Sequence, residues 1–135
     1  AEALLAVAEG RWQPLPADAA GEATPVWRTC DIALLEHSAS PPVPVVERVR
    51  RRAADLFGLP ASHCEVPQAE RHLHGERYEE HADYFTDDRS KRGLLYLGGQ
   101  RVATVLVPLA TVPPGGGGGV AFPRLAAAAP AVAGC

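Results

Sequence analysis

Two residues with metal-binding side chains, His81 and Asp83, lie two positions apart in the second half of the chain. The surrounding residues predict a strand, in which side chains i and i+2 point to the same face of the sheet. An imidazole and a carboxylate placed in this way can converge on one divalent ion. With a second histidine they form the facial triad that binds Fe(II) in non-haem oxygenases. The two residues taken alone favour a simpler interpretation, a surface strand with a local hydrogen bond.

A second kind of metal site draws on a wider set of side chains: His63, Cys64, His72, His74 and His81. Zinc motifs usually space their ligands as C-x₂₋₄-C or H-x₃₋₅-H. His63 and Cys64 are adjacent, and no such spacing frames them, so the pattern argues against zinc. The three cysteines are few, odd in number and widely spaced, which predicts free thiols, with Cys30 half buried.

Composition narrows the classes of protein that need to be considered. A length of 135 residues predicts one domain, and 47% hydrophobic with 21% charged residues excludes wholesale disorder. The net charge of -3 gives no basic surplus with which to hold nucleic acid. No apolar run reaches the roughly 20 residues that cross a bilayer, so we expect no membrane segment in this chain. Because the sequence has no methionine, we expect that it does not begin at a translation start.

Two helices are predicted in the first half of the chain. The first covers residues 2–9 and ends at Gly10, and the second runs from about 44 to 57 with Ser40 as a capping residue. The apolar stripe of the second helix has +3, +4, +3 spacing and comprises Val46, Val49, Ala53 and Leu56. Its arginines lie mostly off this stripe and are predicted to form a solvated face: Arg48, Arg50, Arg51 and Arg52.

Strands are predicted after residue 60, over 64–74, 76–85 and 100–112, with breaks at Gly75 and at the glycine pair 98–99. The last of these is apolar almost throughout, as a strand buried on both faces would be. Residues 11–27 contain several prolines and suit irregular chain or short edge strands. Helices followed by strands predict an α+β or mostly-β domain in which the helices pack outside a sheet.

The longer pattern around His81 resembles the catalytic domain of prolyl 4-hydroxylases. That family shows Arg-Tyr, then G-x-x-Y-x-x-H-x-D-Y-F, then G-Q-R-x-A-T-x-L, and then Gly-Gly running to Phe-Pro. Here residues 75–85 read GERYEEHADYF, residues 98–106 read GGQRVATVL, and residues 117–123 contain Gly-Gly and Phe-Pro. Upstream, Arg28-Thr29-Cys30 is similar to an Arg-Thr-Ser segment of the family, and Glu65 matches an acidic position. The resemblance extends over about residues 26–123.

This resemblance implies a double-stranded β-helix (jelly-roll) core that binds Fe(II) and 2-oxoglutarate, uses ascorbate as reductant, and hydroxylates proline in proline-rich or collagen-like peptides. By the same resemblance, His81 and Asp83 are iron ligands and Tyr78 lines the pocket for the target proline. Arg28, Glu65 and Arg101 match positions of the peptide groove or its supporting loops. The implied compartment is the endoplasmic reticulum or the secretory pathway.

The chain also departs from the family pattern. No histidine follows His81, and the distal basic residue that pairs with 2-oxoglutarate has no counterpart. His72 stands where the family has tyrosine, and Pro108 replaces another tyrosine. Residues 1–123 would therefore be the front part of a hydroxylase domain incomplete at its C-terminal side, or a degenerate, non-catalytic peptide-binding module. On either interpretation we expect no hydroxylase activity from this chain alone. Residues 124–135 are of low complexity and predicted to be poorly ordered or outside the core.

Overall fold

In the parts of the chain that the structure describes, two α-helices and five short strands make up most of the regular structure. The computed structural model describes residues 1–15, 28–35, 43–85 and 99–134. The helices are α1 (Glu2–Ala8) and α2 (Pro44–Asp55). The strands are β1 (Gln13–Pro14), β2 (Asp31–Leu34), β3 (Gln68–Arg71), β4 (Val120–Phe122) and β5 (Ala127–Ala129), with 3₁₀ turns at Ala61–His63 and Pro123–Leu125. This confirms the coarse prediction of mixed helices and sheets, whereas the jelly-roll core stays a prediction.

The main sheet is antiparallel and has the order β1-β2-β3. In the β2–β3 register Ala33 lies opposite Ala69, and Ile32 lies opposite Glu70. Because side chains alternate along a strand, the two alanines point to one face and Glu70 to the other. Both alanines are buried, so the first face is the core face of the sheet.

Both helices contribute to the core on this face. The buried cluster consists of Leu4, Ala8, Ala33, Leu35, Val46 and Ala69, with Trp12 and several valines packed around it. Helix α1 ends as predicted, because Gly10 adopts a φ of +76° that most side chains disfavour. The opposite face of the sheet carries Gln68 and Glu70 together with the apolar Ile32 and Leu34.

Helix α2 forms where predicted, but its buried stripe differs. Val46, Arg50 and Ala54 are buried, whereas Leu56 lies past the helix end and is 72% exposed. The prediction that Arg50 is solvated is wrong. Its guanidinium donates to Glu47 at 2.7 Å and to the Ala61 carbonyl at 2.5 Å, so its aliphatic stem can be buried without stranding the charge. Ser40, the predicted cap, lies outside the described residues.

The predicted strand over 64–74 is confirmed only as β3, and the turn that follows it has Gly75 at φ +86°. The strands predicted over 76–85 and 100–112 are wrong. In the first, Tyr78 alone forms a bridge, to Arg28, and the second is irregular, with Val102 76% exposed. A strand needs a partner for its peptide groups, and no described segment pairs with residues 101–112 in a ladder. Pro108 removes a further donor.

The end of the chain forms a small hairpin of β4 and β5, joined by the second 3₁₀ turn. Ala127–Ala129 therefore form a strand within the segment that was predicted to be poorly ordered or outside the core. All residues of this hairpin are exposed, because alanine offers little surface to bury. Of the helices in the described ranges, neither α1 nor α2 has the length and apolar character needed to span a bilayer. Residues 16–27 and Cys135 lie outside the described residues.

Candidate functional site

The side chains of His81 and Asp83 converge, although they do not lie in a strand. His81 Nε2 and Asp83 Oδ1 are 3.0 Å apart, and both side chains are partly exposed. The two residues lie outside any strand, and a bend begins at Asp83, so the convergence does not depend on a ladder. For metal bonds of about 2.1 Å, two ligands at right angles on one ion are also about 3.0 Å apart. The separation therefore suits chelation of one divalent ion.

A backbone carbonyl fixes the protonation pattern of the imidazole. His81 Nδ1 lies 2.8 Å from the Glu79 carbonyl oxygen, and since a carbonyl only accepts, Nδ1 must carry the proton. In a neutral ring, Nε2 then presents a lone pair toward the Asp83 carboxylate. Two acceptors this close require a proton or a metal ion between them. A hydrogen bond from the remote ring nitrogen is also what orients metal-binding histidines in proteins.

Tyr78 packs directly on this histidine. The two rings are stacked, with centroids 3.8 Å apart and planes inclined by 13°. The Arg28 guanidinium covers the tyrosine ring, 4.5 Å from its centroid, and Arg28 also pairs with Glu70 at 2.5 Å. Burial raises the pKa of Tyr78, so its hydroxyl stays protonated near neutral pH. The layers of guanidinium, phenol and imidazole hold His81 in one orientation.

Arg101 ties three segments together beside Asp83. Its guanidinium makes two hydrogen bonds of 2.7 Å to the Glu65 carboxylate and one of 3.1 Å to the Asp83 carbonyl. It also lies over the Phe85 ring, 4.9 Å from the centroid. The hydrogen bonds to Glu65 raise the pKa of Arg101 above its already high value. Arg101 thus fixes the backbone that carries the Asp83 ligand.

The neighbouring Gln100 side chain acts as a bridge in place of a strand ladder. It accepts from the Phe85 N–H at 2.6 Å and donates to the Phe85 carbonyl at 2.9 Å. These two hydrogen bonds replace the pair that two residues of an antiparallel ladder would exchange, and they join residues 83–85 to residues 99–101. Next to them lies an open cleft of about 340 Å³, whose lining includes Asp83, Tyr84 and Phe122. The cleft thus adjoins the aspartate of the histidine–aspartate pair.

The structure brings together all six residues singled out from the sequence: Arg28, Glu65, Tyr78, His81, Asp83 and Arg101. Sequence reasoning did not single out Gln100 or Glu70, whose partners are 15 and 42 positions distant. The spacing of neighbouring residues in the sequence cannot predict contacts between residues so far apart. The Gln-Arg of the GGQRVAT stretch was the one signal that pointed to residue 100.

The metal fit is partial. In the described parts of the chain, no third ligand atom from His, Cys, Asp or Glu joins His81 and Asp83 in a cluster. The five-residue zinc set is not assembled either, because His72 alone of its members takes part in a potential metal cluster there, with Cys30 and Glu70. The donor types and their separation suit Fe(II) as two ligands of a facial set.

The two arginines beside the His81–Asp83 pair already form ion pairs with glutamates. Arg101 is bonded to Glu65, and Arg28 to Glu70. A dianionic oxoacid such as 2-oxoglutarate would have to displace one of these carboxylates, so the described residues do not fit it and we assign none to that group.

Comparison with known proteins gives a relationship over part of the chain. No family model matches. The chain is 38% identical over 72 residues to probable prolyl 4-hydroxylase 3 of Arabidopsis thaliana, which is 53% of this chain and 24% of that protein. It is 39% identical over 72 residues to prolyl 4-hydroxylase 5 of the same plant, covering 53% of this chain and 23% of the relative.

The chain thus spans about a quarter of the length of these curated relatives. No solved structure matches. These matches support a prolyl 4-hydroxylase-like relationship for about half of the chain.

Proposed function

We propose that the chain carries the metal-binding and proline-binding part of a prolyl 4-hydroxylase-like Fe(II)/2-oxoglutarate dioxygenase. The observation that carries this proposal is the convergence of His81 Nε2 and Asp83 Oδ1 at 3.0 Å, with Nδ1 held by a carbonyl. The names of the relatives support an oxidoreductase acting on prolyl residues at the family level.

Each residue of the site has a distinct part in this proposal. His81 and Asp83 would hold the iron, which would supply the oxidising chemistry with dioxygen; no described residue is assigned to 2-oxoglutarate or ascorbate, the co-substrate and reductant that the resemblance implies. The face of the Tyr78 ring is covered by His81 and Arg28, so Tyr78 offers its ring edge and its protonated hydroxyl to a proline and the neighbouring carbonyl. Arg101 and Glu65 act as positioning residues, because they fix the backbone at Asp83 rather than the ion.

Binding of a divalent ion tests the first step. We expect Mn²⁺, followed by the loss of its free-ion paramagnetic resonance signal, to bind the purified chain weakly, since two ligands supply only part of a facial site. His81→Ala and Asp83→Asn should abolish this binding. His74→Ala and Asp55→Asn make the same chemical changes away from the pair and should leave it intact. Equal binding by all four variants would overturn the metal site.

Turnover tests the second step. Succinate release from 2-oxoglutarate is measured with Fe(II), ascorbate and a proline-rich peptide, against the His81→Ala variant as background. We propose that this chain alone gives no turnover above that background, because two ligands leave the ion loosely held and the two arginines beside the site, Arg28 and Arg101, are already bonded to carboxylates. Turnover above background would contradict this and show that the site is completed by residues beyond His81 and Asp83.

The cleft favours a second candidate, a peptide-binding module without catalysis. The cleft beside Asp83 is flanked by Val102 and Phe122, which are 76% and 44% exposed, so apolar surface is available to a peptide. A fluorescent proline-rich peptide distinguishes the two candidates by its anisotropy. Binding that survives chelator and Asp83→Asn supports the module, whereas binding that requires the metal supports the hydroxylase-like site.

The compartment follows from the same proposal. A prolyl 4-hydroxylase-like protein is expected in the endoplasmic reticulum or the secretory pathway. Fractionation of source cells, with an antibody against this chain, should place it with reticulum membranes or their lumen. Recovery in the cytosolic fraction would contradict this compartment.

A further inference from the structure

A second group of potential metal ligands lies on the face of the β1-β2-β3 sheet that points away from the core. The Cys30 Sγ and one ligand atom each from Glu70 and His72 all lie within 4.8 Å of one another. Cys30 directly precedes β2, Glu70 is in β3, and His72 follows β3. No residue of this group belongs to the His81–Asp83 pair.

The sheet register explains why these three side chains meet. Asp31 pairs with Arg71, so continuing the antiparallel register by one step places Cys30 opposite His72. Glu70 is two positions before His72, and therefore lies on the same face. A thiol, an imidazole and a carboxylate thus meet at the open end of the β2–β3 ladder.

The distances within the group are compatible with one tetrahedral ion. His72 Nε2 and Glu70 Oε2 are 3.4 Å apart, close to the separation of two ligands of a tetrahedral ion with bonds of about 2.1 Å. Cys30 is 5% exposed, and each of the other two side chains is about one-third exposed. One side of the group is therefore dry and the other remains open to solvent, as a three-ligand site with a water in the fourth position requires.

One neighbouring charge weakens the group as a cation site. Arg28 holds the other carboxylate oxygen of Glu70, Oε1, at 2.5 Å, and Gln68 donates to the same oxygen at 2.9 Å. Oε2 is the oxygen that faces His72, so the two contacts leave it available. A guanidinium nearby lowers the affinity for a cation, and the thiolate and carboxylate together must offset it.

The group offers one sulfur, one nitrogen and one oxygen donor. Zinc is commonly bound by such sulfur and nitrogen donors, whereas magnesium, calcium and manganese prefer oxygen.

We propose that Cys30, Glu70 and His72 form a Zn²⁺ site that cross-links β2 and β3 at the end of their ladder. This site is separate from the His81–Asp83 pair. The ion is bound by the thiolate, the imidazole and one carboxylate oxygen, and it displaces the thiol proton to solvent. The site needs no oxidant and makes no demand on hydroxylase activity.

Cobalt substitution tests the site on the full chain, because Co²⁺ reports both thiolate bonding and tetrahedral geometry in its absorption spectrum. We expect a thiolate-to-cobalt charge-transfer band that stoichiometric Zn²⁺ abolishes. Cys30→Ser should remove the band, and His72→Ala should weaken binding by roughly tenfold or more. The Cys64→Ser/Cys135→Ser double variant and Asp83→Asn should keep it.

Alkylation provides a second readout that does not depend on colour. Mass mapping after iodoacetamide treatment should show that Zn²⁺ slows the modification of Cys30 and leaves that of Cys64 unchanged. His72→Ala removes a partly exposed side chain, so it tests the proposal even if Cys30→Ser fails to fold. A band that survives Cys30→Ser, a band lost in the double variant, or no protection of Cys30 in the wild-type chain would each overturn the zinc site.

Discussion

Replacing Val46 by alanine should lower the free energy of unfolding by about 2 kcal/mol. Val46 is a residue of α2 and is fully buried in the core cluster that includes the sheet residues Ala33 and Ala69. Removing its two methyl groups forfeits about 1.6 kcal/mol of transfer free energy, at about 0.8 per carbon. A residual cavity of about 40 Å³ adds about 1 kcal/mol. The better helix propensity of alanine returns about 0.5 kcal/mol.

Urea denaturation followed by helical circular dichroism measures this loss. With a slope of about 2 kcal/mol per molar urea, the midpoint of Val46→Ala should fall by about 1 M. Val102→Ala makes the same change at a side chain that is 76% exposed, and should shift stability by less than about 0.5 kcal/mol. Val49→Ala, partly buried in the same helix, shares the propensity gain and should lie between them. If Val46→Ala costs no more than Val102→Ala, this core does not stabilise the chain.

Three further predictions concern charge and the site. Hydrogen bonds from Arg51 and, to a smaller extent, from Arg50 lower the pKa of Glu47. Its contribution to stability is therefore present above the unfolded-state pKa and is lost as the pH falls through the lower folded-state pKa. Glu47→Gln should flatten the acid limb of stability against pH in urea titrations, and an unchanged limb would contradict this. Tyr78→Leu should weaken Mn²⁺ binding by roughly 3- to 10-fold, because the ring that stacks on the histidine is lost, whereas Tyr78→Phe should retain it. A double-mutant cycle of Arg101→Ala with Glu65→Ala, read as Mn²⁺ affinity, should give a coupling of about 0.5–1 kcal/mol, since side chains 30% and 59% exposed are screened by water. Purely additive effects would show that the pair does not position the site.

The histidine–aspartate pair could be predicted from the sequence because its geometry is local. Residues i and i+2 of an extended chain approach each other whether or not a ladder forms, so the convergence is found although the predicted strand is not. The contacts that complete the site are of another kind. Arg28 and Tyr78 are about 50 positions apart in the sequence, with β2, α2 and β3 between them, so their contact depends on the tertiary fold.

The errors follow from what a hydrophobic pattern measures. The apolar, β-branched residues 102–107 report compatibility with a pleated, buried surface, but the pattern contains no information about a partner strand. The stripe assigned to α2 omitted Arg50 because periodicity counts it as polar. Its long stem can be buried because its two terminal nitrogens donate to the Ala61 carbonyl and to Glu47, although the buried Nε has no partner.

The way in which the site is attached has a consequence for how the molecule unfolds. The apolar core lies between the two helices and one face of the β1-β2-β3 sheet. Residues 76–85 are held largely by polar contacts, among them the hydrogen bond from the Arg77 N–H to the Thr29 hydroxyl and that from Arg101 to the Asp83 carbonyl. Polar contacts at a wet surface are weak compared with buried apolar packing. The His81–Asp83 segment should therefore open locally while the core stays intact, and its amide hydrogens should exchange with solvent well before those of α2. A bound metal ion would close this gap, so amide exchange at residues 78–85 would register occupancy of the site even in a chain that catalyses nothing.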